Sequence, residues 1–247
     1  MALEKSTGLV IRSMNYGEND KIITIFTREQ GKITAMAKGA RNTKSIFLGA
    51  TQLFSYCDFV YYTGRSFAYL NQVELKESFH KLRNDLDKLA KAAYMTEAVY
   101  QAFEDYQGDE QVLRLLLNLL YFINEGSAED DGVVLLAFQL KLLTYLGFAP
   151  DLVHCIRCGS DQHQAGISRL DGSAVCSECM SLVKEGVSLT TYDMDFLSRL
   201  QVLGLSAVRR EIYDGPSWIR LAKELNQVLE SQIGRKIHSF AFLQNSV

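Results

Sequence analysis

Two clusters of residues in this chain have types and spacings that suit chemistry. The first is Cys155-Ile-Arg-Cys158, followed after 17 residues by Cys176-Ser-Glu-Cys179. Paired Cys-x-x-Cys turns at such a separation suit a tetrahedral Zn²⁺, because each turn sets two sulfurs on one side of a tight loop. Gly159 follows the second cysteine and permits the bend that lets backbone N–H groups point at sulfur. Four reduced, unligated thiols are the alternative. Disulfides are disfavoured, since the N-terminus MALEKSTGLVIRS has no apolar secretory segment. A shell of four thiolates is closed to water, so one structural Zn²⁺ is expected at Cys155, Cys158, Cys176 and Cys179. His154 and His163 are possible substitutes for a thiolate, which four cysteines make unnecessary. A nucleic-acid deaminase would need His-x-Glu and Pro-Cys-x-x-Cys. None of His80, His154, His163 and His238 is followed by x-Glu, and neither cysteine pair is preceded by proline. The fifth cysteine, Cys57, sits in an aromatic stretch and reads as a small buried apolar residue.

The second cluster is AKGARNTKS, Ala37 to Ser45, with three positive charges, one glycine and no acid. Such a loop suits phosphate, either of one nucleotide or of a polymer. The pattern G-x-x-x-x-G-K-[ST] is absent: Gly31-Lys32 is followed by Ile33, and Phe26 stands where its first glycine belongs. No G-x-G-x-x-G occurs either. A polymer backbone is therefore the better ligand. The formal net charge of −3 argues against a general nucleic-acid binder, but its distribution is uneven. Residues 1–78 hold ten Lys/Arg against seven Asp/Glu, and the remainder holds 16 against 22. From Arg28 to Lys44 there are five basic residues and one acid, Glu29. The candidate phosphate contacts are Lys38, Arg41 and Lys44, which share the Gly-containing loop, with Arg12, Lys21, Arg28, Lys32 and Arg65 beside them. Tyr16, Phe47 and Tyr62 are possible stacking partners for bases, and barrel packing explains each equally well. A solvated charged face is the plain alternative for the basic residues.

The elements that must position these groups follow from periodicity. GLVIRSMNYG, KIITIFT, KITAMAKG, QLFSYCDFVYY and FAYLNQVEL read as five short strands with turn signals between them. Five strands suit a small closed barrel, and the OB-fold is the five-stranded example whose face and loops bind single strands. From about Asp85 the period changes to that of helices. NDLDKLAKAAYMTEAVYQAF, EQVLRLLLNLLYFINEG, DDGVVLLAFQLKLLTYLG, TTYDMDFLSRLQVL and PSWIRLAKELNQVLESQIG are the predicted helices. The third opens on Asp130 and Asp131 and closes at Gly147; the last carries Pro216 at its first turn. The expected fold is α+β and multidomain: an OB-fold barrel over residues 1–80, then an α-helical domain over 81–247 with the four-cysteine zinc module, 150–185, inserted in it. With apolar residues at 47% and apolar runs too short to span a bilayer, a soluble cytoplasmic protein is the default, with no membrane partner.

GLVIRSMNYGENDKIITIFTREQGKITAMAKGARNTKS, with QLFSYCDFVYY and FAYLNQVEL, closely resembles the RecO family of bacterial recombination mediators. The resemblance is carried by Tyr16-Gly17-Glu18 with Asp20, Phe26-Thr27 with Gly31, Ala37-Lys38-Gly39 with Arg41, and Lys44-Ser45. It continues more loosely through LKLLTYLGFAPDLVHCIRCG and the second cysteine pair. It implies an OB-fold, a helical bundle and a zinc module, and a function without turnover chemistry. It further implies binding of single- and double-stranded DNA, strand annealing, action with RecR to help load RecA onto SSB-coated strands, and nucleoid association. The acidic tail of SSB would need an apolar groove beside a base; the helices around Arg114 and Lys141 are its possible walls. Two rivals stand beside this reading. A zinc-dependent nucleic-acid enzyme would need an open metal site, and a zinc-containing scaffold would not bind DNA. A base-reading zinc ribbon is disfavoured because only Asp161, Arg169 and Asp171 are charged between Cys158 and Cys176.

Overall fold

The computed structural model describes residues 3–64, 67–126 and 131–244. Five strands come first: β1 (Leu3–Tyr16), β2 (Asp20–Thr27), β3 (Gly31–Ala37), β4 (Tyr56–Thr63) and β5 (Ala68–Glu77), with the short α1 (Phe47–Ala50) between β3 and β4. Three further strands, β6 (Gln164–Ser168), β7 (Ala174–Cys176) and β8 (Gly186–Ser188), lie in the cysteine segment. The remaining helices are α2 (His80–Asn84), α3 (Leu86–Ala102), α4 (Glu110–Glu125), α5 (Asp131–Tyr145), α6 (Thr191–Val202), α7 (Leu205–Val208), α8 (Trp218–Ile233) and α9 (Phe240–Gln244).

The chain falls into two compact units, Met1–Asn124 and Glu125–Val247. In the first, the strands close in the order β1-β2-β3-β5-β4, with β3 and β5 parallel and the other pairs antiparallel. This is the five-stranded OB-like barrel that the alternating apolar pattern predicts. Alternation sends Val10, Ile23, Ile25, Ile33, Ala35, Phe59, Tyr61 and Leu70 into one core. Ala50 and Phe47 from α1 pack into that core too, and Cys57 is buried there with its Sγ 3.8 Å from the Ala50 carbonyl. Burial, and then the Asp58 charge, push the Cys57 thiol up to about 12, so it is an inert packing group.

The first unit extends past the barrel for a physical reason. β3 pairs with β5 only at Ala35 and Met36, which exposes the edge of its first half. The segment after α3 takes those hydrogen bonds: Lys32 N–H donates to Gln107 O (2.8 Å) and Tyr106 N–H to Lys32 O (2.7 Å). The approach needs glycine at 31, with φ +68°; a Cβ there would lie 2.2 Å from the Gln107 carbonyl carbon. α3 is capped by Asp85, whose carboxylate accepts from the amides of Asp87 and Lys88.

The second unit holds the three-stranded sheet β7-β6-β8 and the helices α5 to α9. α6 starts with a capping box between Thr190 and Asp193. α5 ends at Tyr145, and Gly147 follows at φ +86°; Asp130, expected at its start, lies outside the described residues. α8 differs in one detail from expectation. Ser217 is its cap, accepting from Arg220 N–H, so Pro216 stands before the helix rather than in its first turn. Among the described residues, no helix is long and apolar enough to cross a membrane.

Candidate metal centre and candidate nucleic-acid interface

The two Cys-x-x-Cys turns meet at one end of the β7-β6-β8 sheet. Cys155 N–H donates to Ser160 O and Gly159 N–H to Cys155 O, both at 2.8 Å, with Gly159 at φ +74°. The second turn is closed by Cys179 N–H to Cys176 O at 3.1 Å. All four Sγ atoms lie within 4.8 Å of one another, and those of Cys158 and Cys176 are 3.7 Å apart. A tetrahedron with metal–sulfur bonds of about 2.3 Å needs sulfurs about 3.8 Å apart, so the donor set fits a thiophilic ion such as Zn²⁺. Cys155, Cys176 and Cys179 are buried against Val175, with Met180 and Val183 packed on them, while Cys158 faces solvent.

The thiols feel opposing forces. Burial raises the Cys155 thiol, but backbone hydrogen bonds at Cys176, Cys158 and Arg157 outweigh it and bring it down to about 6. Cys179 is pushed up to about 12, by burial and then by its thiol neighbours. One thiolate therefore forms readily while Cys158 and Cys179 resist, which is the conflict a divalent cation removes. Neither histidine is needed. His154 Nδ1 pairs with Asp151 at 3.0 Å, and His163 sits at φ +56° outside the sulfur cluster. Arg169, the one base between the cysteine pairs, is spent internally on the buried Glu224 of α8, through contacts of 2.6 and 3.1 Å.

The basic residues of the barrel separate into two groups. Lys38, Arg41 and Lys44 are exposed in the loop after β3, and Lys21 at the start of β2 joins them. The loop is seated on the β1–β2 turn. Gly39, at φ +66°, donates its N–H to Asp20 Oδ1 at 2.7 Å. Arg41 N–H donates to Asn19 O at 2.9 Å, and its Nη1 donates to Gly17 O (3.0 Å) and Glu18 O (2.7 Å). Arg41 thus locks two loops into one rim. Burial, then the Arg41 charge, hold the Lys21 ammonium below the usual lysine range. The Lys38 ammonium lies 5.6 Å over the Tyr69 ring. Lys44 is exposed and has no ion-pair partner among the described residues.

The second group belongs to the α3 side. Lys32 is 4% exposed, and its ammonium donates to the Tyr100 and Phe103 carbonyls, 4.6 Å over the Tyr100 ring. It cannot reach a phosphate and is an anchor of the edge-sealing segment, which corrects the expectation drawn from sequence. Arg12 donates to Tyr100 Oη at 2.7 Å and lies over the same ring. Arg28 pairs with Glu110 at 3.4 Å. Arg65 lies outside the described residues. Phe47 packs on the barrel core and is no stacking platform; Tyr16 is exposed. Lys141 donates to the Gln201 and Leu203 carbonyls at the end of α6, and Arg114 pairs with Glu110 in the other unit, so each is engaged locally. Sequence reasoning misses the seating role of Asp20 and Gly17, for which the glycine and the acid flanking the turn are the local signal.

A model described as "Recombination protein O N terminal" matches residues 1–79, and one described as "Recombination protein O C terminal" matches residues 83–240. A DNA repair protein RecO of Alkaliphilus metalliredigens is 38% identical over 212 residues, 81% of this chain and 86% of that protein. Another, of Symbiobacterium thermophilum, is 34% identical over 247 residues, 98% of this chain and 97% of that protein. A third, of Bacillus pumilus, is 37% identical over 179 residues, 72% of this chain and 69% of that protein.

Proposed function

The chain belongs to the RecO family of DNA repair proteins, and we propose that it acts there without catalysis, as a DNA-binding mediator that anneals complementary strands. The observation that carries this reading is the rim formed by Lys21, Lys38, Arg41 and Lys44 on an OB-like barrel. Four cations on one seated loop pair match a phosphate backbone. Backbone contacts position a strand without choosing sequence, which is what annealing of arbitrary complements requires. Partial neutralisation of each strand lowers the repulsion between two of them. Lys32 leaves the contact set; Arg12 and Arg28 take no part in the rim, and Arg65 remains a proposal from sequence alone.

In the second unit the four thiolates hold one Zn²⁺ as a closed structural site. The ion's contribution is to fix two turns that have little apolar core of their own. The closed shell disfavours the reading as a zinc-dependent enzyme, and the cationic rim disfavours a scaffold that ignores DNA. Family membership supports, as further parts of this proposal, RecR, the SSB tail and a link to RecA as partners, single- and double-stranded DNA as ligands, and a cytoplasmic, nucleoid-associated place. The test is annealing of complementary strands, bare and SSB-coated, with no nucleotide added. The expected result is acceleration of both reactions. A chain that anneals neither would defeat the mediator reading.

A further inference from the structure

The four sulfurs of the cysteine centre are alike as metal donors but unlike as targets for an oxidant. Cys155, Cys176 and Cys179 are only 2%, 3% and 8% exposed, and they form one buried cluster with Val175 under Met180 and Val183. Cys158 is exposed, and so are its neighbours Ile156, Arg157 and Gly159. The cause is local. Ile156 N–H donates to Ala174 O at 2.9 Å, which ties the first turn to β7 at its root. Cys158 stands two residues further on, at the crest of that turn. The second turn begins where β7 ends, at Cys176, and keeps both of its sulfurs inside.

A metal-held thiolate is still a nucleophile, and reaction with oxidants follows thiolate character and exposure. Among the four, Cys158 alone combines the two. Its Sγ lies 3.7 Å from that of Cys176 on the opposite turn, so a small rotation of the two side chains brings them to bonding distance. We propose that Cys158 is a modification site for peroxides and Cys176 its resolving thiol, which makes the centre a zinc site that oxidation opens. The inference rests on the reading of the four cysteines as one Zn²⁺ site. In the first step the Cys158 thiolate attacks hydrogen peroxide. An S–O bond forms, the O–O bond breaks, and hydroxide leaves a sulfenic acid behind. In the second step the Cys176 thiolate attacks that sulfur. An S–S bond forms, the S–O bond breaks, and a second hydroxide leaves. The two sulfurs lose two electrons, the peroxide gains two, and both hydroxides take protons from solvent to become water. Cys155 and Cys179 by themselves cannot complete a tetrahedral shell, so the ion is released. Cys57, buried in the barrel core, is the internal reference for a thiol that peroxide does not reach.

The experiment exposes the zinc-loaded full chain to hydrogen peroxide. Released zinc is followed with a chromogenic chelator, and the cysteines are mapped by mass spectrometry with and without the sulfenic-acid trap dimedone. Wild type should release zinc in step with a Cys158–Cys176 disulfide, keep Cys57 reduced, and take zinc back after dithiothreitol. Cys158→His leaves three thiolates and an imidazole, a donor set that zinc accepts, and should lose the peroxide-driven release. Cys176→His removes the resolving thiol, so dimedone should label Cys158. Release undiminished in Cys158→His, or a first oxidation at any cysteine other than Cys158, overturns the proposal. A disulfide from Cys158 to Cys155 or Cys179 overturns the part given to Cys176. If a histidine variant fails to hold zinc, the order of oxidation in wild type decides: Cys158 first supports the proposal, and any other order overturns it. A wild-type chain that carries no zinc would instead defeat the metal reading, and the same mapping would still decide whether Cys158 reacts first.

Discussion

Arg41 and Lys38 stand three residues apart in one basic loop, yet their surroundings give them different work. Arg41 holds the carbonyls of Gly17 and Glu18, whereas Lys38 makes no tighter contact than the Tyr69 ring. Arg41→Ala should therefore lower stability by about 1–3 kcal/mol, the range for hydrogen bonds from a charged donor. Lys38→Ala and Lys44→Ala should leave thermal melting unchanged while weakening DNA binding. If Arg41→Ala melts like wild type, its seating role is wrong. Lys32 makes the reverse case. Lys32→Met strips the Tyr100 and Phe103 carbonyls of a buried partner, so denaturant titration should reveal a loss of about 1–3 kcal/mol, with the salt dependence of DNA binding intact. Lys21 adds a pH signature. Burial and the Arg41 charge lower its pKa in the free protein, and a phosphate raises it again. Affinity is then constant below the free-state pKa and falls as pH rises through it, ahead of what an ordinary lysine would give. Lys21→Arg should flatten that fall in a fluorescence titration across the alkaline range.

At the scale of elements, the strands and helices are legible because each carries its own period. β2 is a run rich in β-branched residues, and α4 repeats leucine at helical spacing, so neither depends on distant context. QLFSYCDFVYY shows where that reasoning stops. It reads as one strand, but β4 starts only at Tyr56, and Phe54 sits at φ +72° on the way in from α1. The bend is dictated by α1 packing Ala50 into the barrel, a contact no local pattern announces. The fate of Lys32 is hidden for the same reason, since its partners lie about 70 residues later. The clustering of the four cysteines is legible in the sequence, because residue type and spacing are themselves the signal. Its removal should act on its own element. Chelation, or Cys158→Ser, should abolish a stoichiometry of one Zn²⁺ per chain in metal analysis and lower the melting temperature of the second unit. DNA affinity carried by the barrel should stay within about twofold, the expectation for distant independent sites. A loss of DNA binding that tracks zinc loss would assign the module a role in the interface.

At the scale of the whole molecule, charge is uneven along the chain, with the positive excess in residues 1–78 and the negative excess in the rest. The first compact unit runs on past β5 to Asn124, and within it the Asp105–Gln107 segment completes the barrel's open strand edge. Four cations on the barrel rim that set DNA affinity through phosphate should leave their number in the salt dependence of binding. Four phosphate contacts with a single strand predict a log–log slope of about −3 against salt concentration. The Lys21→Gln/Lys38→Gln/Lys44→Gln variant, which spares the seating role of Arg41, should reduce that slope to about −0.7. A variant that remains folded and keeps the wild-type slope would mean that the rim does not hold phosphate.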